Sequence, residues 1–223
     1  MNVQRIVAVS FALGLFNAAA AQNCDSSPYA KKGSKIETTE YDKKGAIKNV
    51  AVNTVTDVQI NGGTNSTFRS VKTDANGTVT EDRLWHYRCN DNGIVLGFGI
   101  DDTETKQEAI LDYPTNMATG QTLKNNIKFE ISKTENGQKG TLTIKIYDRK
   151  VVGKEYVTVK AGSWECTKIT SKALFKLKLG PLSLPISFEI TEWFNPQVGV
   201  VRSETWLKGS KEGTAEITSI SKS

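Results

Sequence analysis

The side chains that usually carry catalysis are scarce: the 223 residues hold one histidine, His86, and three cysteines, Cys24, Cys89 and Cys166. His86 lies between Trp85 and Tyr87. On a strand whose aromatics face a core, its imidazole faces solvent, and a surface histidine is the plainer reading than a general base. His86 and Cys89 do not make a nucleophile and base, because side chains three apart on a strand lie on opposite faces. Zinc would want several Cys or His ligands at close spacing, which cysteines without a C-x-x-C pair do not supply. Nucleophile-elbow, Walker and dinucleotide-binding motifs are absent; Gly97-Phe98-Gly99 is only a fragment of the last. The sequence thus implies neither a metal nor a cofactor.

Two other residue sets could do something. Asp101-Asp102-Thr103-Glu104 gathers three carboxylates in four residues, read here as a solvated loop capping a following helix rather than a calcium site. A hydrolase built from dispersed acids such as Asp101, Asp102, Glu192 and Glu204 would need two of them to meet in one pocket, with at least one pKa displaced. Trp85, Trp164, Trp193 and Trp206 each fall on an expected strand and could line a ligand cavity inside a curled sheet. Ordinary core packing is the competing reading.

The elements that must position these residues are strands. From Lys35 onward the pattern has period two, as in Val50, Val52, Thr54, Thr56, Val58 and Ile60, with Asn53, Asp57 and Gln59 on the other side. Asn61-Gly62-Gly63, Asp74-Ala75-Asn76-Gly77 and Asn90-Asp91-Asn92-Gly93 mark turns. The alternation returns in Ile127, Phe129 and Ile131, in Leu142, Ile144 and Ile146, and from Leu182 to Ile190 as a half-buried strand. Thr103 to Leu111 is composed of good helix formers and is expected as a short helix, followed by a break at Tyr113-Pro114 and a loop to Leu123. About ten strands with hairpin-length connections give an all-β antiparallel meander.

At the N-terminus, Arg5 precedes an apolar run from Ile6 to Phe16 and then Ala19-x-Ala21, the layout of a secretory signal peptide over residues 1–21. The run is too short to cross a bilayer. Residues 22–223 are expected to form one domain, exported to the periplasm or beyond. The formal net charge of +5 is interspersed, so it reads as a solubilising surface and not as a nucleic-acid face. Three cysteines outside the cytosol suggest one disulfide and one thiol, with three pairings open. Cys24 with Cys89 is favoured, because in a meander the lead-in to the first strand and the end of the fourth lie at the same end of the sheet.

Several stretches together carry a family resemblance: Asn23-Cys24 to Tyr41-Asp42-Lys43-Lys44-Gly45, Tyr113-Pro114 to Gly120-Gln121-Thr122-Leu123, Asp148-Arg149-Lys150-Val151, Ala161 to Ile169 (AGSWECTKI), and Glu192 to Glu204 (EWFNPQVGVVRSE). They resemble the TapB-like family of exported bacterial proteins, related to a wider domain-of-unknown-function family. Ser163-Trp164 departs from the Thr-Phe type pair usual in the pattern. The resemblance implies a curled antiparallel sheet like the half-barrels or open barrels of lipoprotein carriers. It also implies a tetratricopeptide-repeat protein as partner, and it brings no catalytic residues. Binding of an apolar ligand or a protein partner is therefore the expected role, with the envelope hydrolase as its alternative.

Overall fold

A computed structural model describes residues 24–98, 109–125, 127–135, 138–179 and 182–222. The expected signal peptide and the acidic cluster at 101–104 lie outside them. Twelve antiparallel strands form one sheet: β1 (Lys35–Asp42), β2 (Ile47–Ile60), β3 (Thr64–Asp74), β4 (Val79–Asn90), β5 (Gly93–Phe98), β6 (Ala109–Pro114), β7 (Ile127–Glu135), β8 (Gln138–Val159), β9 (Gly162–Leu179), β10 (Leu182–Asn195), β11 (Gly199–Leu207) and β12 (Ser210–Ser221). Their order is β6-β5-β4-β3-β2-β1-β12-β11-β10-β9-β8-β7, a meander whose first and last strands pair in the middle. The sheet curls until its edges meet, where Leu111 of β6 packs against Ile127 and Phe129 of β7. The result is a nearly closed barrel, in keeping with the expected class.

Turn chemistry sets the register. Asp42 Oδ1 accepts hydrogen bonds from the amides of Lys44 and Ala46, at 2.8 and 2.9 Å. Asp74 Oδ1 repeats the device with Asn76 and Thr78, both at 2.9 Å. A short acceptor that bonds the backbone two residues on is what nucleates such turns. Gly93 has a different role. Its φ is +139°, and a Cβ there would stand 2.3 Å from the carbonyl oxygen of Tyr113, so only glycine lets β5 and β6 pair this closely.

The structure differs from the expected elements in three places. Ala109 to Leu111, assigned to a helix from composition, belongs to β6, with Ile110 opposite Gly97 and Leu111 opposite Leu96. The other residues of that helix lie outside the described ones. Helix propensity is worth tenths of a kcal/mol per residue and yields to the unpaired edge of β5, which needs a partner strand. In β2 a bulge between Val55 and Asp57 shifts the alternation, so buried Val55, opposite Phe68, faces the core in place of Val50, Val52 and Thr54. And the strands among the described residues number twelve, close to the ten or so expected, because short β5 and β6 and the long ribbons of β7 to β10 all pair.

One end of the barrel is plugged. The 3-10 turns Cys24–Ser26 and Pro28–Ala30 sit there, with Tyr29 stacked on Tyr87 at 4.8 Å and beside Phe68 at 5.2 Å. Cys24 and Cys89 are joined in a disulfide that spans 65 residues of sequence, and Cys166 is a buried free thiol. The disulfide ties the plug to β4, the strand that carries Tyr87. Replacing Cys24 and Cys89 with Ala should cost about 2–4 kcal/mol of unfolding free energy, through the larger entropy of the unfolded chain. Urea unfolding of wild type and double variant measures this, and an unchanged midpoint would mean that the plug is held by packing alone.

Candidate ligand-binding face

The concave face carries two features built by different parts of β8, β9 and β10. The first is an aliphatic wall. Strand register lays out three rows: Leu142, Leu177 and Leu184; Ile144, Phe175 and Ile186; Ile146, Ala173 and Phe188. Alternation puts all of them on one side of the ribbon. Ile127 and Phe129 of β7 continue the lower two rows. Phe175 and Phe188 meet edge to face at 5.4 Å, a favoured aromatic geometry.

Burial falls off along the wall. Ala173, Ile127 and Phe129 are buried, whereas Leu177, Leu184 and Ile186 are 38, 47 and 46% exposed. The reason lies in strand length: β10 pairs with β11 only from Glu189 onward, so the stretch before it pairs with β9 alone and projects past the barrel. The strand expected to be half-buried therefore leaves much of its apolar side uncovered. Covering a Leu or Ile side chain fully gains about 1.5–3 kcal/mol, so each of these has roughly 1 kcal/mol still to gain.

The second feature is a polar cluster toward the plugged end. A bulge between Tyr147 and Lys150 takes Asp148 to φ +54° and sends Arg149 into the interior, where it is fully buried. Its Nη1 donates to the carbonyl of Asp112 on β6 at 3.0 Å, and its guanidinium lies 5.0 Å from the centre of the Tyr113 ring. Tyr113 in turn stacks flat on Phe194 of β10 at 4.2 Å and donates a long hydrogen bond, 3.5 Å, to Glu192 Oε2. Burial pushes the Glu192 carboxyl above its ordinary value of 4.5, against the pull of the Arg149 charge and the Tyr113 hydrogen bond. Desolvation also drives the Tyr113 hydroxyl well up.

The backbone around Arg149 is held from outside the sheet. The segment from Gly120 to Asn125 runs along β8: the amide of Leu123 bonds the Arg149 carbonyl at 2.9 Å, that of Val151 bonds Gln121 at 2.9 Å, and Asn125 Oδ1 accepts from the Arg149 amide at 2.8 Å. This strap satisfies the edge that β8 exposes where β7 has ended.

The four tryptophans do not line one cavity. Trp85 faces the core and stacks on Phe68 at 6.1 Å. Trp164 is half-buried at the β8–β9 turn, over Gly162. Trp193, which alternates with Phe194, points to the opposite face, where its Nε1 donates to Glu155 and the cations of Lys168 and Arg202 lie 5.0 and 5.4 Å from its ring. Trp206 borders a shallow groove with Asp148, Lys172 and Glu189. The dispersed acids separate likewise. Register places Ser203 beside Glu192 and so puts Glu204 on the other side of the sheet, held by Arg202 at 2.6 Å and Lys211 at 3.7 Å. Asp101 and Asp102 lie outside the described residues. His86 is partly buried rather than fully solvent-facing, with Nδ1 3.4 Å from Thr67 Oγ1, and the disulfide removes Cys89 as its nucleophilic partner. Among the described residues, no group of three or more His, Cys, Asp or Glu could hold a metal ion.

The same fold recurs elsewhere. An exported protein with a YmcC-like fold from Bacteroides fragilis superposes with a TM-score of 0.71 at 20% identity, over 86% of this chain and 97% of that one. A lipoprotein from Parabacteroides distasonis gives 0.71 and 20%, over 86% and 96%. No curated protein matches the sequence. Residues 31–216 match the DUF3108-like family, and the chain belongs to it. The match agrees with the kinship to a domain-of-unknown-function family that the motifs imply, and it does not extend to the narrower TapB-like name.

Sequence pattern alone did not point to Arg149 or to the uncovered wall. The one available signal was the interruption of alternation at Tyr147-Asp148-Arg149. Removing the Arg149 charge with Arg149→Met should cost about 1–3 kcal/mol, because the buried Asp112 carbonyl then loses its donor. Chemical denaturation reads this, and a loss below about 1 kcal/mol would mean the seam does not need the cation. Glu192 has its own signature. With its pKa raised in the fold, its proton stabilises the protein below pH 4.5, and that contribution fades as pH climbs through the folded value. Glu192→Gln should flatten the decline in unfolding free energy above pH 4.5, and an unaltered pH profile would place the titration elsewhere.

Proposed function

We propose that this protein acts outside the cytosol as a non-enzymatic binding protein whose ligand is an apolar chain, such as the acyl portion of an amphiphile. The observation that carries this reading is the wall of Leu142, Ile144, Phe175, Leu177, Leu184 and Ile186, which continues the concave core but is left half uncovered where the ribbon projects. Ligand pockets are concave and mostly apolar, and an aliphatic surface of this kind stays soluble at low cost only if something covers it. The disulfide suits an oxidising compartment, in agreement with the leader expected at the N-terminus.

Delipidated protein, in buffer free of vesicles and detergent, should bind a fluorescent long-chain fatty acid. Leu184→Asp and Ile186→Asp should each weaken binding about ten-fold, the loss of about 1.4 kcal/mol of apolar contact. Native mass spectrometry of gently isolated protein should show an added lipid mass. A bare mass together with no probe uptake would sink the proposal and leave the wall to a protein partner such as the repeat protein expected from the resemblance.

A further inference from the structure

The projecting β9–β10 hairpin has a composition unlike the rest of the chain. From Ala173 to Phe188 (ALFKLKLGPLSLPISF) its only charged residues are Lys176 and Lys178, with no Asp or Glu, in a protein that carries 24 acids overall. Leu177, Leu182, Leu184 and Ile186 are all among the exposed large hydrophobic residues, Leu182 the most at 52%. Alternation puts Leu177 on the wall side and Lys176 and Lys178 on the other, and both lysines are exposed. Neighbouring cations differ in this respect. Lys172 is paired with Asp148 at 3.1 Å and Lys128 with Glu130 at 3.1 Å, whereas among the described residues neither Lys176 nor Lys178 is in an ion pair.

We propose that this hairpin docks the protein on an anionic phospholipid surface. The leucines and isoleucine would enter the boundary between headgroups and acyl chains, and the two lysines would run back along the ribbon to the lipid phosphates. The mouth of the aliphatic wall would then open at the bilayer. The proposal concerns the hairpin's contact with the membrane and holds whether or not the wall takes up a lipid.

Two alternative occupants fit less well. A peptide adding to the sheet would use the free edge of β10 before Glu189, but Pro185 lies there and lacks the amide that a new strand needs. A second copy packed wall to wall would cover the leucines but leave Lys176 and Lys178 of both copies on the far faces without a counter-charge, whereas an anionic bilayer meets the leucines and the lysines together. The same unpaired edge limits depth. Backbone groups without partners are costly in hydrocarbon, so the hairpin rests at the interface and does not cross the membrane.

The test is co-sedimentation of the delipidated full chain with vesicles of phosphatidylcholine alone and of phosphatidylcholine containing phosphatidylglycerol. Binding is expected to the anionic vesicles only and should weaken as salt is raised. Lys176→Glu/Lys178→Glu should reduce it at least ten-fold, and Leu182→Ser should also reduce it. Fatty-acid uptake in vesicle-free buffer should stay intact in the lysine variant, which separates this proposal from the ligand reading. Equal binding to both vesicle types, no binding to either, or an unaffected lysine variant would overturn it. So would a concentration-dependent dimer in sedimentation velocity that Leu182→Ser abolishes.

Discussion

A twelve-stranded sheet that nearly closes must hold its two edges together without a strand ladder between them, and here the contact from β8 and β10 to β6 does so. Arg149 reaches across to the Asp112 carbonyl, Tyr113 stacks on Phe194, and Glu192 supplies the nearby negative charge. These residues come from strands far apart in sheet order, so the cluster is a cross-barrel brace. A buried guanidinium is costly by itself, with several kcal/mol of lost hydration. It is tolerated because the aromatic face, the backbone carbonyl and the carboxylate together replace part of what water would give. The strap of residues 120–125 holds the bulge that presents it.

The brace also divides the interior. On its plugged side the core is aromatic and dense, with Tyr29, Phe68 and Tyr87 packed under the disulfide-tied turns. Away from it, β8, β9 and β10 outrun their neighbours, and the same alternation that fills a core elsewhere leaves aliphatic side chains half exposed. The wall thus arises from a mismatch of strand lengths. Nothing in the ribbon's own pattern distinguishes a covered leucine from an uncovered one; the end point of β11 does.

The DUF3108-like family and the two structures of similar fold give this arrangement a wider setting. At 20% identity they show a shared path of the chain. Among the described residues, the cysteine nearest the one histidine is spent in a disulfide, and Glu192 and Glu204 lie on opposite sides of the sheet.

Much of the architecture was legible in the residues themselves. Period-two alternation, the turns at Asp74-Ala75-Asn76-Gly77 and Asn90-Asp91-Asn92-Gly93, and the order of Cys24 ahead of the strands are local facts, and local sterics and hydrogen bonding translate them directly into strands, hairpins and a lead-in segment. What tertiary structure alone decided is which side of a strand is covered and by what. A single extra residue at the Val55 bulge reverses the faces of β2, and another at Asp148 turns Arg149 inward. Ala109 to Leu111 became a strand because β5 needed a partner, and four tryptophans with similar local settings were sent to separate places. Such outcomes depend on groups dozens of residues away, whose contacts form only once the sheet has curled, and no window of neighbouring residues contains them.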